Sequence, residues 1–326
     1  MKIKRISMIA ILLAALMLMA ACSSGAIKST EEDARVVGIC GDREIRYEDV
    51  RYLVMRYKAD LAAAYGAEIF ESAETGAVYE DELWAFVTES LIYNYATLDE
   101  CADLSVLIDD KDTRKEVQEY VDETIDMCGG KTEYLDYLAA NYMTDAVFRF
   151  YAGVLSCQYR YYDALATARD REAYDAVLAG EGFIRTMSIF VQNDAGENVA
   201  TNRQMAEEVV AAVRNGASVE DYIGTRYNQD TGNCDYYFMR GYMIEEYEHA
   251  AFALAVGEVS DVVEVENGFY VIQRVATEKG YFEDHLGDLM AMYLSCMMNG
   301  EIAAREAALS ISWNELGDSL TLWSME

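Results

Sequence analysis

The sequence predicts an α+β protein in which one α+β domain is inserted into a mostly helical chain. Three observations carry this. Apolar residues recur at helical spacing from Val50 to about residue 180. At Gly182 the texture changes, and short β-branched and aromatic runs mix with helical stretches as far as Ala276. After Gly280 one long helical pattern returns. Strands and helices mixed without strict βαβ alternation mark the α+β class. The expected division is 34–181 helical, 182–278 α+β, and 279–326 a C-terminal helix packing on the first segment.

The elements follow in order. Residues 36–39 are a short apolar run, Cys40-Gly41-Asp42-Arg43 a turn, and Glu44-Ile45 its return, which together make a hairpin. Val50, Leu53, Val54, Tyr57 and Leu61 lie on one face of a helix. Gly66 and Gly76 bracket a looser stretch, and Leu83, Phe86, Val87, Leu91 and Tyr95 mark a second helix. Residues 110–128 form an acidic amphipathic helix stopped by Gly129-Gly130. Thr132 and Thr144 suit the N-caps of two more helices, the second running to about Gly180. In the α+β segment, 183–191 is a strand, 201–215 a helix closed by Gly216, and Ser218-x-x-Asp221 the cap of a short helix. An irregular loop over 228–235, a helix over 245–254 and strands over 262–265 and 269–276 complete a β-α-α-α-β-β order. The last helix runs to about Leu309, and a short Ile311-Ser312-Trp313 segment follows.

Charge and composition exclude several classes. The chain carries 58 Asp and Glu against 26 Lys and Arg, a net charge of −32. Nucleic-acid binding needs a basic footprint, so it is excluded. Electrostatic attachment to anionic lipid is excluded for the same reason. The cysteines form no CxxC and no metal-ligand spacing, and the two His, His249 and His285, are far apart, so no metal site and no cofactor are expected. Disulfides or buried free thiols are both compatible with Cys40, Cys101, Cys128, Cys157, Cys234 and Cys296. His249, within an acidic helix, reads as a solvated surface residue. No nucleophile triad or phosphate loop is present.

The N-terminus is expected to direct export. Lys2, Lys4 and Arg5 precede an apolar run over 6–21, shorter than the ~20 residues of a spanning helix. The run ends in Leu18-Met19-Ala20-Ala21-Cys22, which resembles the bacterial lipobox, with Met19 where Leu is usual. The resemblance implies cleavage after residue 21, lipidation of Cys22, a tether over 22–33, and an extracytoplasmic chain anchored to the cell membrane.

Residues 182–277 resemble the parvulin (rotamase) family of peptidylprolyl isomerases. The similarity rests on Arg240-Gly241-Tyr242-Met243, on Phe252-Ala253-Leu254 and on Gly257-Glu258-Val259-Ser260-Asp261-Val262-Val263. Ala206-Glu207-Glu208 through Gly216-Ala217 resembles the family's first helix. The opening hairpin, with Cys40 in place of Asn, looks like that of PrsA/SurA-type foldases, whose helical N- and C-terminal segments form a chaperone module around the parvulin domain. The resemblance therefore implies a parvulin-like α+β domain inserted into a mostly helical N/C-terminal chaperone module.

Carried over residue by residue, Met243, Tyr247 and Phe252 match the pocket that seats proline, with Tyr247 where Phe is usual. Asp230 matches the polar loop residue. Both family histidines are replaced, by Ser188 on the first strand and Tyr270 on the last, and Asp235 stands at an apolar pocket position. The implied catalytic set is Asp230, Ser188 and Tyr270, and loss of both His leaves isomerase activity undecided by the sequence. The implied function is a membrane-anchored folding factor for secreted proteins. The alternatives are an inactive parvulin-like holdase, to which Tyr134, Tyr137, Tyr142, Tyr151, Tyr159, Tyr161 and Tyr162 would lend contact area, and a cell-envelope assembly lipoprotein. Implied partners are unfolded or partly folded secreted polypeptides and the membrane through Cys22, and a homodimer is left open.

Overall fold

The computed structural model describes residues 32–66, 69, 73–193, 199–228 and 234–325, without the side chains of 73–77 and 324. The expected signal segment with Cys22, and the candidate Asp230, lie outside the described residues. Among those residues no helix is long and apolar enough to cross a membrane.

In chain order the elements are β1 (Val36–Cys40), β2 (Arg43–Arg46), α1 (Tyr47–Tyr65), α2 (Ala73–Asp103), α3 (Lys111–Cys128), α4 (Lys131–Ala140) and α5 (Asp145–Ala179). Then come β3 (Ile184–Gln192), α6 (Val199–Arg214), β4 (Asp235–Phe238), α7 (Glu245–Ala253), β5 (Val263–Val265) and β6 (Gly268–Val275). The chain closes with α8 (Tyr281–Asp284), α9 (Leu286–Glu306), β7 (Ile311–Trp313) and α10 (Glu315–Asp318). It divides into two compact units, residues 1–163 with 301–326, and residues 164–300.

In the first unit β1 pairs with β2 and, on its other edge, with β7, so that Gly38 stands opposite Trp313. α1 buries Val50, Leu53, Val54 and Leu61, the face its spacing predicts. Gly76 does not interrupt the chain but lies inside α2. A helix-interior glycine costs about 1 kcal/mol, which the burial of Leu83, Val87 and Leu91 outweighs. α3 starts at Asp110, whose side chain accepts the Thr113 N–H at 2.7 Å, and ends at Gly129 with φ +92°. Thr132 is not a cap, because α4 already begins at Lys131, with Gly130 as its N-cap. Thr144 does cap α5: its Oγ1 accepts the Val147 N–H at 3.1 Å and donates to buried Glu48 at 2.6 Å. Tyr134 and Tyr161 are interior residues, donating to Asp145 at 2.8 Å and to Glu301 at 2.7 Å.

The second unit is built on an antiparallel sheet of order β4-β3-β6-β5. β4 begins at Asp235, the last residue of the loop expected over 228–235, and runs on through Phe238, for which the sequence reading assigns no element. It pairs with β3 in the register Ile184 to Phe238 and Met187 to Asp235. Side chains alternate between the two faces of such a sheet. On one face Ile189, Val191, Phe269 and Val271 pack against Ala206, Val209, Val210 and Val213 of α6. On the other, Ile184, Phe238 and Ile272 pack against Tyr247 and Ala251 of α7. Gly268 is required where β6 meets β3, because a Cβ there would run into the Val191 carbonyl oxygen and the Phe190 ring. Ser218 and Asp221 form the predicted capping box of a short 3₁₀ turn. The six described cysteines are all free thiols.

Candidate active site

The α7 face of the sheet gathers most of the candidate residues. Thr186, Ser188 and Phe190 alternate along β3, and antiparallel pairing sets Ile272 opposite Ser188 and Tyr270 opposite Phe190. Tyr247, one turn into α7, points its ring at this row. Its hydroxyl donates to Ser188 Oγ at 3.1 Å and shares a 2.9 Å hydrogen bond with Thr186 Oγ1. All three residues are buried, with Tyr247 2% exposed and Ser188 3% exposed. The three hydroxyls satisfy one another, as buried polar groups must.

Aromatic rings wall this polar line. Tyr270 meets Tyr247 edge-on at 5.0 Å and lies 4.5 Å from Phe190 between ring centroids. Phe238 contacts both Tyr247 and Phe252 at 5.8 Å. Met243 and Phe252, both half-buried, pack against the same cluster. The Arg240 guanidinium stacks over the Phe252 ring at 4.1 Å. Burial pushes the Tyr247 phenol up to about 12, although the Ser188 and Thr186 hydroxyls pull it back. At neutral pH this hydroxyl is therefore a hydrogen-bonding group and not a base.

The structure thus brings Ser188, Tyr270, Met243, Tyr247 and Phe252 to one face, while Asp230 lies outside the described residues. Asp235 does not occupy the pocket. The β3–β4 register turns it to the opposite face, where Arg185 grips it with two hydrogen bonds of 2.8 and 2.6 Å. His249 is exposed. Two participants escape a reading of the sequence alone. Thr186 lies two residues before Ser188, and the period of two along a strand is the signal that finds it. Cys234 receives the Ser188 N–H at 2.9 Å through its carbonyl, and its sulfur accepts the Asn228 side-chain N–H at 3.3 Å. No local signal marks that contact. Among the described residues no group of three His, Cys, Asp or Glu side chains is arranged to hold a metal ion.

Residues 167–279 match the family model described as the PPIC-type PPIASE domain. The chain is 29% identical over 122 residues to the foldase protein PrsA of Bacillus subtilis, spanning 36% of this chain and 41% of that protein. It is 34% identical over 92 residues to the foldase protein PrsA of Geobacillus kaustophilus, spanning 26% and 32%. The matches thus span less than half the length of these curated relatives. A crystal structure of the peptidylprolyl isomerase PrsA from Bacillus anthracis aligns with a TM-score of 0.35 at 18% identity, covering 67% of this chain and 96% of that one. Residues 167–279, which take in the end of α5 and the α+β part of the chain, are similar to parvulin domains of the PPIC type, and the chain that carries them is similar to PrsA-type foldases.

Proposed function

We propose that the protein is an extracytoplasmic folding factor, held at the membrane by lipid on Cys22, that binds X-Pro segments of unfolded secreted polypeptides and isomerises them. One observation carries this: a buried line of hydroxyls, Thr186–Tyr247–Ser188, lies beside an aromatic and methionine-lined surface on a single sheet face. Isomerisation needs no covalent chemistry. The tertiary amide must leave planarity, against a barrier of about 18–20 kcal/mol. Met243 and Phe252 would seat the proline ring out of water, and a desolvated carbonyl favours the twisted amide. Ser188 and Tyr270 would act as neutral hydrogen-bonding groups where the family has histidines. A protease-coupled assay on X-Pro peptides tests this. Acceleration that Met243→Ala abolishes is expected, and a rate equal to the uncatalysed one overturns catalysis.

The tight burial of Tyr247 favours a second reading. Its hydroxyl line is closed on itself, which suits a binding unit without turnover. A holdase of this kind suppresses aggregation of a reduced, unfolding client without accelerating X-Pro isomerisation. Failure in both assays excludes both readings.

A further inference from the structure

The α7 face of the sheet holds an aromatic residue to which the resemblance gives no role. A bound peptide can touch only side chains that are partly exposed. Thr186, Ser188 and Tyr247 are buried beneath that surface. Tyr236, Met243, Phe252 and Tyr270 are half-buried and pack over the same cluster, so they are within a peptide's reach. Met243, Phe252 and Tyr270 have a part in the proposed reaction, and Tyr236 has none.

The β3–β4 register sets the facing of Tyr236. Thr186 pairs with Tyr236 and Met187 with Asp235, so these two neighbours on β4 point to opposite sides of the sheet. Two anchors on the far side hold that choice. Arg185 binds the Asp235 carboxylate at 2.8 and 2.6 Å. The Tyr237 hydroxyl accepts the Glu278 N–H at 2.9 Å, and its ring packs among Val177, Phe183 and Leu289. A slip of one residue would carry the Asp235 carboxylate onto the apolar face and away from Arg185. Tyr236 is thereby held on the α7 face, where its ring meets Tyr247 edge-on at 6.4 Å.

We propose that Tyr236 is a substrate-binding residue whose ring forms the third wall of the surface that seats proline, beside Met243 and Phe252. It takes the place that the resemblance gives to residue 235, whose carboxylate faces away. A tyrosine offers a large flat apolar area at low entropic cost, since only two torsions need be fixed. The contact comes from the ring, against which a proline ring can lie flat, and the hydroxyl stays at the wet rim. The proposal rests on the reading that this face receives X-Pro segments. It adds the wall that separates proline from an acyclic residue at the same position.

The test is fluorescence anisotropy with the full chain and two short labelled peptides that differ only in carrying Leu-Pro or Leu-Ala at the centre. The parent should bind the proline peptide about tenfold more tightly than the alanine peptide. Tyr236→Ala should lose about tenfold for the proline peptide and little for the alanine peptide, with folding checked by circular dichroism. Tyr236→Phe should bind as the parent does, because the ring is kept. Asp235→Asn should also bind as the parent does, because that side chain faces away and the amide can still accept from Arg185. Parent-like proline binding by folded Tyr236→Ala overturns the proposal. A loss in Tyr236→Phe as large as in Tyr236→Ala does so too, since the hydroxyl would then be the contact. Tighter proline binding by Asp235→Asn would put residue 235 in the wall and has the same consequence. If Tyr236→Ala does not fold, Tyr236→Leu decides: it keeps apolar packing and should lose about threefold, and parent affinity in it overturns the aromatic wall. Equal binding of the two peptides by the parent removes the reading of the site and the proposal with it, whereas proline selectivity that survives loss of the Tyr236 ring removes the proposal alone.

Discussion

Replacing Tyr247 with Phe removes one oxygen from the centre of the α7 face of the sheet and should cost about 2–3 kcal/mol. The hydroxyl makes two hydrogen bonds, of 2.9 Å to Thr186 and 3.1 Å to Ser188. Thr186 is 0% exposed and Ser188 3% exposed, so water cannot replace the lost partner at either. A net hydrogen bond is worth about 1 kcal/mol, and a buried group left unsatisfied costs about 1–3 kcal/mol. Urea unfolding followed by far-UV circular dichroism measures the loss. A double-mutant cycle with Thr186→Val isolates the pair and should return a coupling of about 1 kcal/mol. The phenol's titration, raised from 10 to about 12, adds a pH signature. The folded pKa lies above the unfolded one, so its contribution is full below pH 10 and is lost between about 10 and 12. The Phe variant should lack that component of the alkaline loss. A variant within about 0.5 kcal/mol of the parent, or more stable than it, would mean that the hydroxyl line contributes no net stability, and the reasoning would fail.

Three further perturbations test the frame around the site. Asp110→Ala removes the α3 cap and the 2.9 Å contacts from Arg160, and should lower stability by about 1–2 kcal/mol at pH 7. Burial raises the Asp110 titration, but the Thr113 amide and Arg160 outweigh it and bring it to about 2. The deficit should therefore be present above pH 4 and vanish as pH falls through 2, which denaturation at stepped pH would show. Asp49 is raised to about 6 by burial, despite the Arg46 amide that it accepts at 2.9 Å. Its folded pKa exceeds the unfolded value, so stability should fall by on the order of 1–2 kcal/mol as pH rises from 4 through 6, a slope that Asp49→Asn should flatten in melts across that range. Gly268→Ala sets a Cβ against the Val191 carbonyl oxygen, so the strands must part, at about 2–3 kcal/mol, read as a lowered urea midpoint.

Much of the helical architecture was legible in the sequence. The spacing of Val50, Leu53, Val54 and Leu61 announces the buried face of α1. Thr144 announces the start of α5, and Ser218 with Asp221 announces the 3₁₀ turn. Each signal spans a few residues, because helices and caps close their hydrogen bonds within one or two turns. Thr132 misled because a threonine near a helix start marks a cap only when the residue before it is not yet helical, and Lys131 already is, with Gly130 as the N-cap. The pocket residues Met243 and Phe252 stood out only through resemblance to a family, since a Met and a Phe at helical spacing are equally ordinary core.

The sequence by itself determined the class of most elements, the acidity of the chain and the loss of both family histidines. Only the tertiary structure decided β4, the pairing of β7 with β1, the facing of Asp235 and the Thr186–Tyr247–Ser188 line. A strand is defined by a partner, and its facing by a register. Tyr247 reaches Thr186 across 61 positions of sequence, and Trp313 reaches Gly38 from the far end of the chain. No local pattern records such contacts, because their energy is realised only when the packed sheet brings the two strands together.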